Sequence, residues 1–217
     1  MDRLSLMQWL SPAFPTGAFA YSHGLEQVIA EGHLRDANRL RDWISDVLLH
    51  GAGRNDAMLL VAGLNPDADR DGLDDLAHAL APSAERLHET MAQGTAFART
   101  VAAITGRDLS PRPLPLAVAE AASDLALGPA EIAALYLHAF AANLISVAVR
   151  YAPLGQTEGQ AALAALHGPI ADLAADVARR GTCCSLQDLI PMMTSGALGA
   201  DLSAMRHETM NVRIFRT

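Results

Sequence analysis

Apolar positions recur at intervals of three and four along most of the chain. No segment alternates at a period of two, so the sequence predicts helices and no strand. Leu4, Met7 and Leu10 line one face of a short first helix that Ser11 and Pro12 end. Residues 12–19 carry Pro12, Pro15 and Gly17 and read as a loop. Helix resumes near Ser22 and stops at Gly32, and Asp36 stands where it can cap a helix whose apolar face is Leu40, Trp43, Ile44, Val47 and Leu48. A short helix is expected over 56–64, and an acidic one over 67–80 with Leu73, Leu76 and Leu80 inward. Ser83 opens a long helix that reaches roughly Thr105. A proline-rich link over 110–115 precedes a helix over 116–127, and a long uncharged helix then runs from Pro129 to the stop at Pro153, Leu154 and Gly155. Residues 156–180 are helical, with a bend expected at Gly168 and Pro169. Residues 181–199 read as irregular, and a last helix over 200–210 leads into a short tail, 211–217.

Composition sharpens this picture. A chain of 217 residues with 51% hydrophobic content has enough apolar surface for one domain core without a disulfide or metal staple. About a fifth of the residues are alanine, the strongest helix former, whose small side chain lets helices approach closely. No linker divides the chain, so the expectation is an all-α fold, a single-domain helical bundle of about ten helices spanning 1–217. The uncharged run over 132–149 is long enough to imitate a membrane span. It includes His138, Asn143 and Ser146 and reads as a buried core helix instead.

Charge and residue chemistry exclude several functions. The formal net charge is -8, and no basic patch suggests nucleic-acid binding. Every basic residue among the 16 is arginine, which excludes a P-loop lysine and lysine Schiff-base chemistry. The two cysteines, Cys183 and Cys184, are adjacent and suit a reduced cytoplasmic protein better than a disulfide scaffold. Eight histidines occur without metal-ligand spacing, and His78 and His88 fall on different predicted helices. Ser22, His23 and Glu26 are neighbours in sequence, but adjacent side chains on a helix do not face each other as a triad. His207 and Glu208 read as a polar helix face. No catalytic residue, cofactor site or metal site is expected.

Two segments place apolar residues where polar ones are usual. Phe14, Phe19 and Tyr21 lie in or beside the first loop, and the tail alternates Val212, Ile214 and Phe215 with Arg213 and Arg216. Such rings either tuck into the core or anchor a partner. With no turn or cap signal of its own, the tail alone would be loosely held, but Ile214 and Phe215 gain when buried, so it reads as a segment that docks, and its deletion is expected to leave the helical fold nearly as stable.

The run Ser11-Pro12-Ala13-Phe14-Pro15-Thr16-Gly17-Ala18-Phe19-Ala20-Tyr21-Ser22-His23-Gly24-Leu25-Glu26 resembles the N-terminal signature of the UreF family of urease accessory proteins. Residues 152–160 are similar to a second block of that family, and 201–209 followed by Arg213, Ile214, Phe215 and Arg216 to a third. The resemblance implies a non-enzymatic all-helical homodimer acting in nickel insertion into apo-urease. It implies binding to UreD (also called UreH), recruitment of the GTPase UreG, and docking on the urease subunits, with no membrane partner. It also implies partner-binding positions at Phe14, Pro15, Gly17, Phe19, Tyr21, Ser22, Gly24, Glu26, Arg206, His207, Glu208, Arg213 and Phe215, with 211–217 as a docking tail. Phe19 holds the family's aromatic position and Arg213 its near-terminal arginine. Ala20, Asn211 and Val212 depart from the usual residues. The alternatives are a nickel carrier using His207 or the cysteines across a homodimer, and a small helical hydrolase.

Overall fold

The computed structural model describes residues 1–181 and 185–217. In chain order the helices are α1 (Asp2–Trp9), α2 (Leu25–Ala30), α3 (Ala37–His50), α4 (Ala52–Gly63), α5 (Arg70–Ala79) and α6 (Ala84–Thr105). They continue with α7 (Leu114–Ala122), α8 (Pro129–Tyr151), α9 (Gln156–Ala165), α10 (His167–Gly181), α11 (Leu186–Leu189) and α12 (Leu198–His207). Short 3-10 turns cover Ala18–Ala20 and Ile190–Met192, and no strand occurs among the described residues. The expected all-helical bundle is the fold. Cys183 and Cys184, read above as reduced thiols and weighed as metal ligands, lie outside the described residues.

Several boundaries follow from local chemistry visible in the sequence. The Asp36 carboxylate accepts the Arg39 N–H at 2.9 Å and starts α3. The Ser83 hydroxyl accepts the Arg86 N–H at 3.2 Å and starts α6. Asp69 does the same for the Gly72 N–H in α5. Proline moves other boundaries away from the expected ones. Pro115 lies inside the first turn of α7, where a missing N–H costs nothing, so that helix starts at Leu114 and not Leu116. It ends at Ala122, short of the expected Leu127. Pro169 likewise occupies the first turn of α10. The break between α9 and α10 therefore falls at Leu166, ahead of the expected bend. Gly51 breaks the chain between α3 and α4, and α4 starts at Ala52, ahead of the expected Asp56.

Helix α8, uncharged over 132–149, runs through the centre and packs on α2, α3, α4, α9 and α10. Its buried residues include Ile132, Tyr136, Leu137, Leu144 and Ile145, with Ala133, Ala141 and Ala148 between them. Small residues allow close approach around it. A methyl at Gly159 of α9 would lie 2.7 Å from the Val149 Cγ2, and one at Gly181 of α10 2.8 Å from the Val61 Cγ1. Phe97 of α6 is buried between Trp9, edge-on at 6.5 Å between ring centres, and Phe14 at 5.6 Å. That contact ties α1 and the following loop to α6. Arg107 closes α7 by donating to the Ala121 and Glu120 carbonyls at 2.7 and 2.9 Å.

The tightest approach is at Gly94 of α6. A Cβ there would fall on the Arg112 carbonyl oxygen and lie 2.8 Å from the Leu114 nitrogen, both backbone atoms of the strap leading into α7. Gly94→Ala is therefore expected to destabilise the fold by about 2–3 kcal/mol or more despite alanine's better helix propensity. Urea unfolding measures this, and a neutral or stabilising change would show that the strap yields freely.

Candidate functional site at the loop and tail

The first loop, the start of α2, the end of α12 and the tail converge on one end of the bundle. Gly17 and Gly24 both take left-handed backbone, with φ of 78° and 76°. At Gly24 space is also limiting, because a Cβ would lie 2.7 Å from the Ala204 nitrogen on α12. The α12 backbone thus lies directly against the entry to α2. His23, between these glycines, is the one non-glycine residue with positive φ among the described residues, at 58°.

Glu26 of α2 is 1% exposed and organises the site. Its Oε1 accepts the Ile214 N–H at 2.8 Å, and its Oε2 accepts the Phe215 N–H at 2.9 Å. The Nε2 of His207, the last residue of α12, lies 3.1 Å from the same Oε2. His207 is 0% exposed, and its Nδ1 lies 2.7 Å from Glu85 Oε2 in the first turn of α6. Each ring nitrogen thus faces a carboxylate oxygen from a different helix. Arg213 then pairs with the other oxygen of Glu85. The Glu85 N–H donates to Glu208 at 3.1 Å, a carboxylate at a helix N-terminus.

The remaining tail residues bond to the first loop. The Arg216 N–H donates to the Ala20 carbonyl at 2.8 Å, and the Ser22 N–H to the Thr217 main-chain oxygen at 2.8 Å. The Ser22 hydroxyl donates to that same oxygen. The Thr217 hydroxyl accepts the His23 N–H at 3.2 Å and donates to Glu89 at 2.8 Å. The Phe215 ring packs edge-on to Tyr151 and lies under the Arg150 guanidinium, 5.1 Å from the ring centre. Arg150 also donates to the Phe19 carbonyl at 2.9 Å.

The tail is docked, as its apolar residues suggest: Phe215 and Thr217 are buried, and Glu26 supplies the acceptors for its backbone, although Ile214 stays outside. One expectation is corrected here. His207 and Glu208 are not one polar face, because the helix turns His207 fully inward and leaves Glu208 outside. Ser22, His23 and Glu26 form no relay. The Ser22 hydroxyl serves Thr217, and Glu26 serves the tail.

The sequence-selected residues thus divide by exposure. Phe14, Tyr21, Ser22, Gly24, Glu26, His207 and Phe215 are buried and hold the loop and tail in place. Pro15, Phe19, Arg206, Glu208 and Arg213 face outward, and Gly17 is partly covered. Phe19 is 67% and Ile214 68% exposed, with Val212 also outside, so large apolar side chains stand beside arginines on an ordered surface. Sequence reasoning missed Glu85, Glu89, Arg150 and Thr217. Each acts on residues more than a hundred positions away, and no local signal marks it.

Behind the loop lies a cavity of about 180 Å³ with Asp56, Arg86, Glu89 and His23 at its polar end. Arg86 pairs with Glu89, which also accepts the Gln93 amide at 3.0 Å. The Tyr136 hydroxyl donates to Asp56 at 2.8 Å. Burial pushes the Asp56 carboxyl up to about 6 against the opposing pull of that hydroxyl and of Arg86. Burial, with Arg86 nearby, holds the His23 ring well below the usual imidazole range. Among the described residues no cluster of three or more metal-ligating side chains occurs.

The sequence profile of the UreF family matches residues 34–167. A protein from Cereibacter sphaeroides strain KD131 named urease accessory protein UreF is 63% identical over 214 residues, 99% of this chain and 98% of its own length. Relatives with the same name from Paracoccus denitrificans and Jannaschia sp. are 54% and 49% identical, each across 99% of this chain and 96% and 94% of their own lengths.

Two outcomes test the site. Glu26→Gln replaces one acceptor oxygen by an amide donor facing N–H groups. It is expected to cost about 2–4 kcal/mol and to speed tryptic cleavage after Arg213 severalfold. Unchanged melting and cleavage would show that Glu26 does not hold the tail. Asp56 binds its proton more tightly folded, near 6, than at its ordinary 3.8. Its contribution to stability therefore falls as pH rises from about 4 to 6 and levels off above that. Asp56→Asn is expected to remove that loss, up to about 2 kcal/mol, when urea unfolding of both proteins is compared at pH 4, 5, 6 and 7. Parallel curves would refute it.

Proposed function

This chain belongs to the UreF family of urease accessory proteins, and from that premise we infer that it is a non-catalytic scaffold for nickel insertion into apo-urease. In this reading it acts in the cytoplasm as a homodimer. It binds UreD/UreH and presents a surface that recruits the GTPase UreG to the urease subunits. The observation that supports the reading is the ordered patch formed by Phe19, Val212, Ile214 and Arg213, in which exposed apolar side chains are backed by fully buried polar anchors. A patch of that kind binds without first losing the entropy of an ordering tail. The buried residues Glu26, His207 and Phe215 act as positioning groups for it. A second exposed strip on α12, Leu198, Leu202 and Met205, fits the homodimer contact.

The nickel-carrier alternative gains nothing from His207, whose two ring nitrogens are both occupied by carboxylates. Deletion of the tail no longer separates docking from folding, because it would also strip Glu26 of its partners. Single exposed side chains make the cleaner test. Phe19→Ala and Arg213→Ala are each expected to shift stability by no more than about 1 kcal/mol. With the UreD partner present, each is expected to weaken UreG capture about tenfold or more, equivalent to roughly 1.4 kcal/mol. Capture equal to that of the parent protein in both variants would overturn the recruitment role.

A further inference from the structure

We propose that the cavity beneath the first loop is a binding site for a compact, uncharged amphipathic molecule of the carboxamide class. The Arg86 Nε–H and the acceptors of Asp56 and His23 would hold its polar end. The proposal concerns the isolated chain and goes beyond the scaffold role.

Three observations carry it. First, a space of about 180 Å³ admits a ligand of roughly the size of a substituted benzene. Second, the Arg86 Nε and the His23 Nδ1 have no hydrogen-bond partner, although these residues are only 7% and 4% exposed. Native structures rarely leave such groups unpaired, and here both residues line the same cavity. Third, His23 is held there in left-handed backbone, a conformation that persists only where the surrounding structure imposes it.

Charge and shape then select the ligand. Arg86 is already paired with Glu89, so its charge is balanced. An anion would add negative charge next to the carboxyl of Asp56, which burial has already raised to about 6. A cation would meet the guanidinium N–H, which can only donate. A neutral carbonyl oxygen can accept that N–H, and an adjacent amide N–H can donate to Asp56 or to His23. Trp9, Phe97, Phe140 and Leu144 offer the ligand's other end an apolar wall.

The test is titration of benzamide into the full chain, followed by calorimetry and ligand-observed NMR, with benzoate and benzylamine as charged counterparts. The expected result is saturable one-to-one binding of benzamide, at least tenfold tighter than either counterpart. Arg86→Lys keeps a charge opposite Glu89 but has no Nε–H, and is expected to weaken binding tenfold or more. Ala139→Leu adds carbons from α8 into the void, and is expected to abolish binding without lowering the melting temperature. The proposal is overturned if benzamide fails to saturate, if a charged counterpart binds as tightly, or if binding survives Ala139→Leu. It is equally overturned if benzamide never binds and the first loop gains hydrogen-exchange protection only when an accessory protein partner is added. That result would make the cavity a socket for a protein side chain.

Discussion

The carboxylate of Glu26 is almost wholly removed from water, and a buried charge is tolerated only when donors surround it. Its donors come from distant parts of the chain. Two are backbone N–H groups of the tail, and the third is the His207 ring at the end of α12. Satisfying this one group therefore fixes the path of residues 214–215 and the rotation of α12 about its axis. The second nitrogen of His207 meets Glu85 at the start of α6, and Arg213 closes the chain on Glu85. Breaking a link to Glu26 or His207 leaves a buried polar group without its partner. The loop, α2, α12 and the tail thus behave as one unit and not as a bundle with an appendage.

That unit explains how apolar side chains can remain outside without disorder. Phe19 is carried on a short 3-10 turn pinned by Arg150 and by the Arg216 N–H, and Ile214 on a backbone pinned by Glu26. The side chains are solvated, but the backbone at 19–22 and 214–217 is hydrogen-bonded. The same unit reaches inward through Thr217, whose hydroxyl donates to Glu89 beside the cavity. A change at the outer patch and a change at the cavity therefore share the Glu89 and Thr217 contact.

Alanine and glycine set the scale on which these contacts are possible. With Gly24 against α12, Gly94 against the α7 strap and Gly159 against α8, backbones sit closer than larger residues permit. An interior built this way is assembled largely from helix backbones and small methyl groups, with leucines and few rings filling the rest. It also brings carboxylates from different helices within reach of a single imidazole.

Most of the helices were legible in the sequence because they are announced locally, although the short α11 fell in a stretch read as irregular. Asp36 and Ser83 cap their helices through bonds three residues long, and the uncharged run of α8 declares a core helix by composition alone. Where local reading slipped, at Pro115 and Pro169, it treated proline as a breaker, whereas a helix's first turn has no use for the missing N–H. The family blocks also marked out Phe19, Glu26, His207 and Arg213. What no local pattern could show was their pairing. Glu26 and Phe215 are separated by 189 positions, and His207 and Glu85 by 122. Whether a histidine near a helix end faces water or two carboxylates depends on which surface that helix meets. Only the tertiary packing turned the tail from a free end into a bonded strap, because burial of Glu26 creates a need for donors that the sequence alone does not reveal.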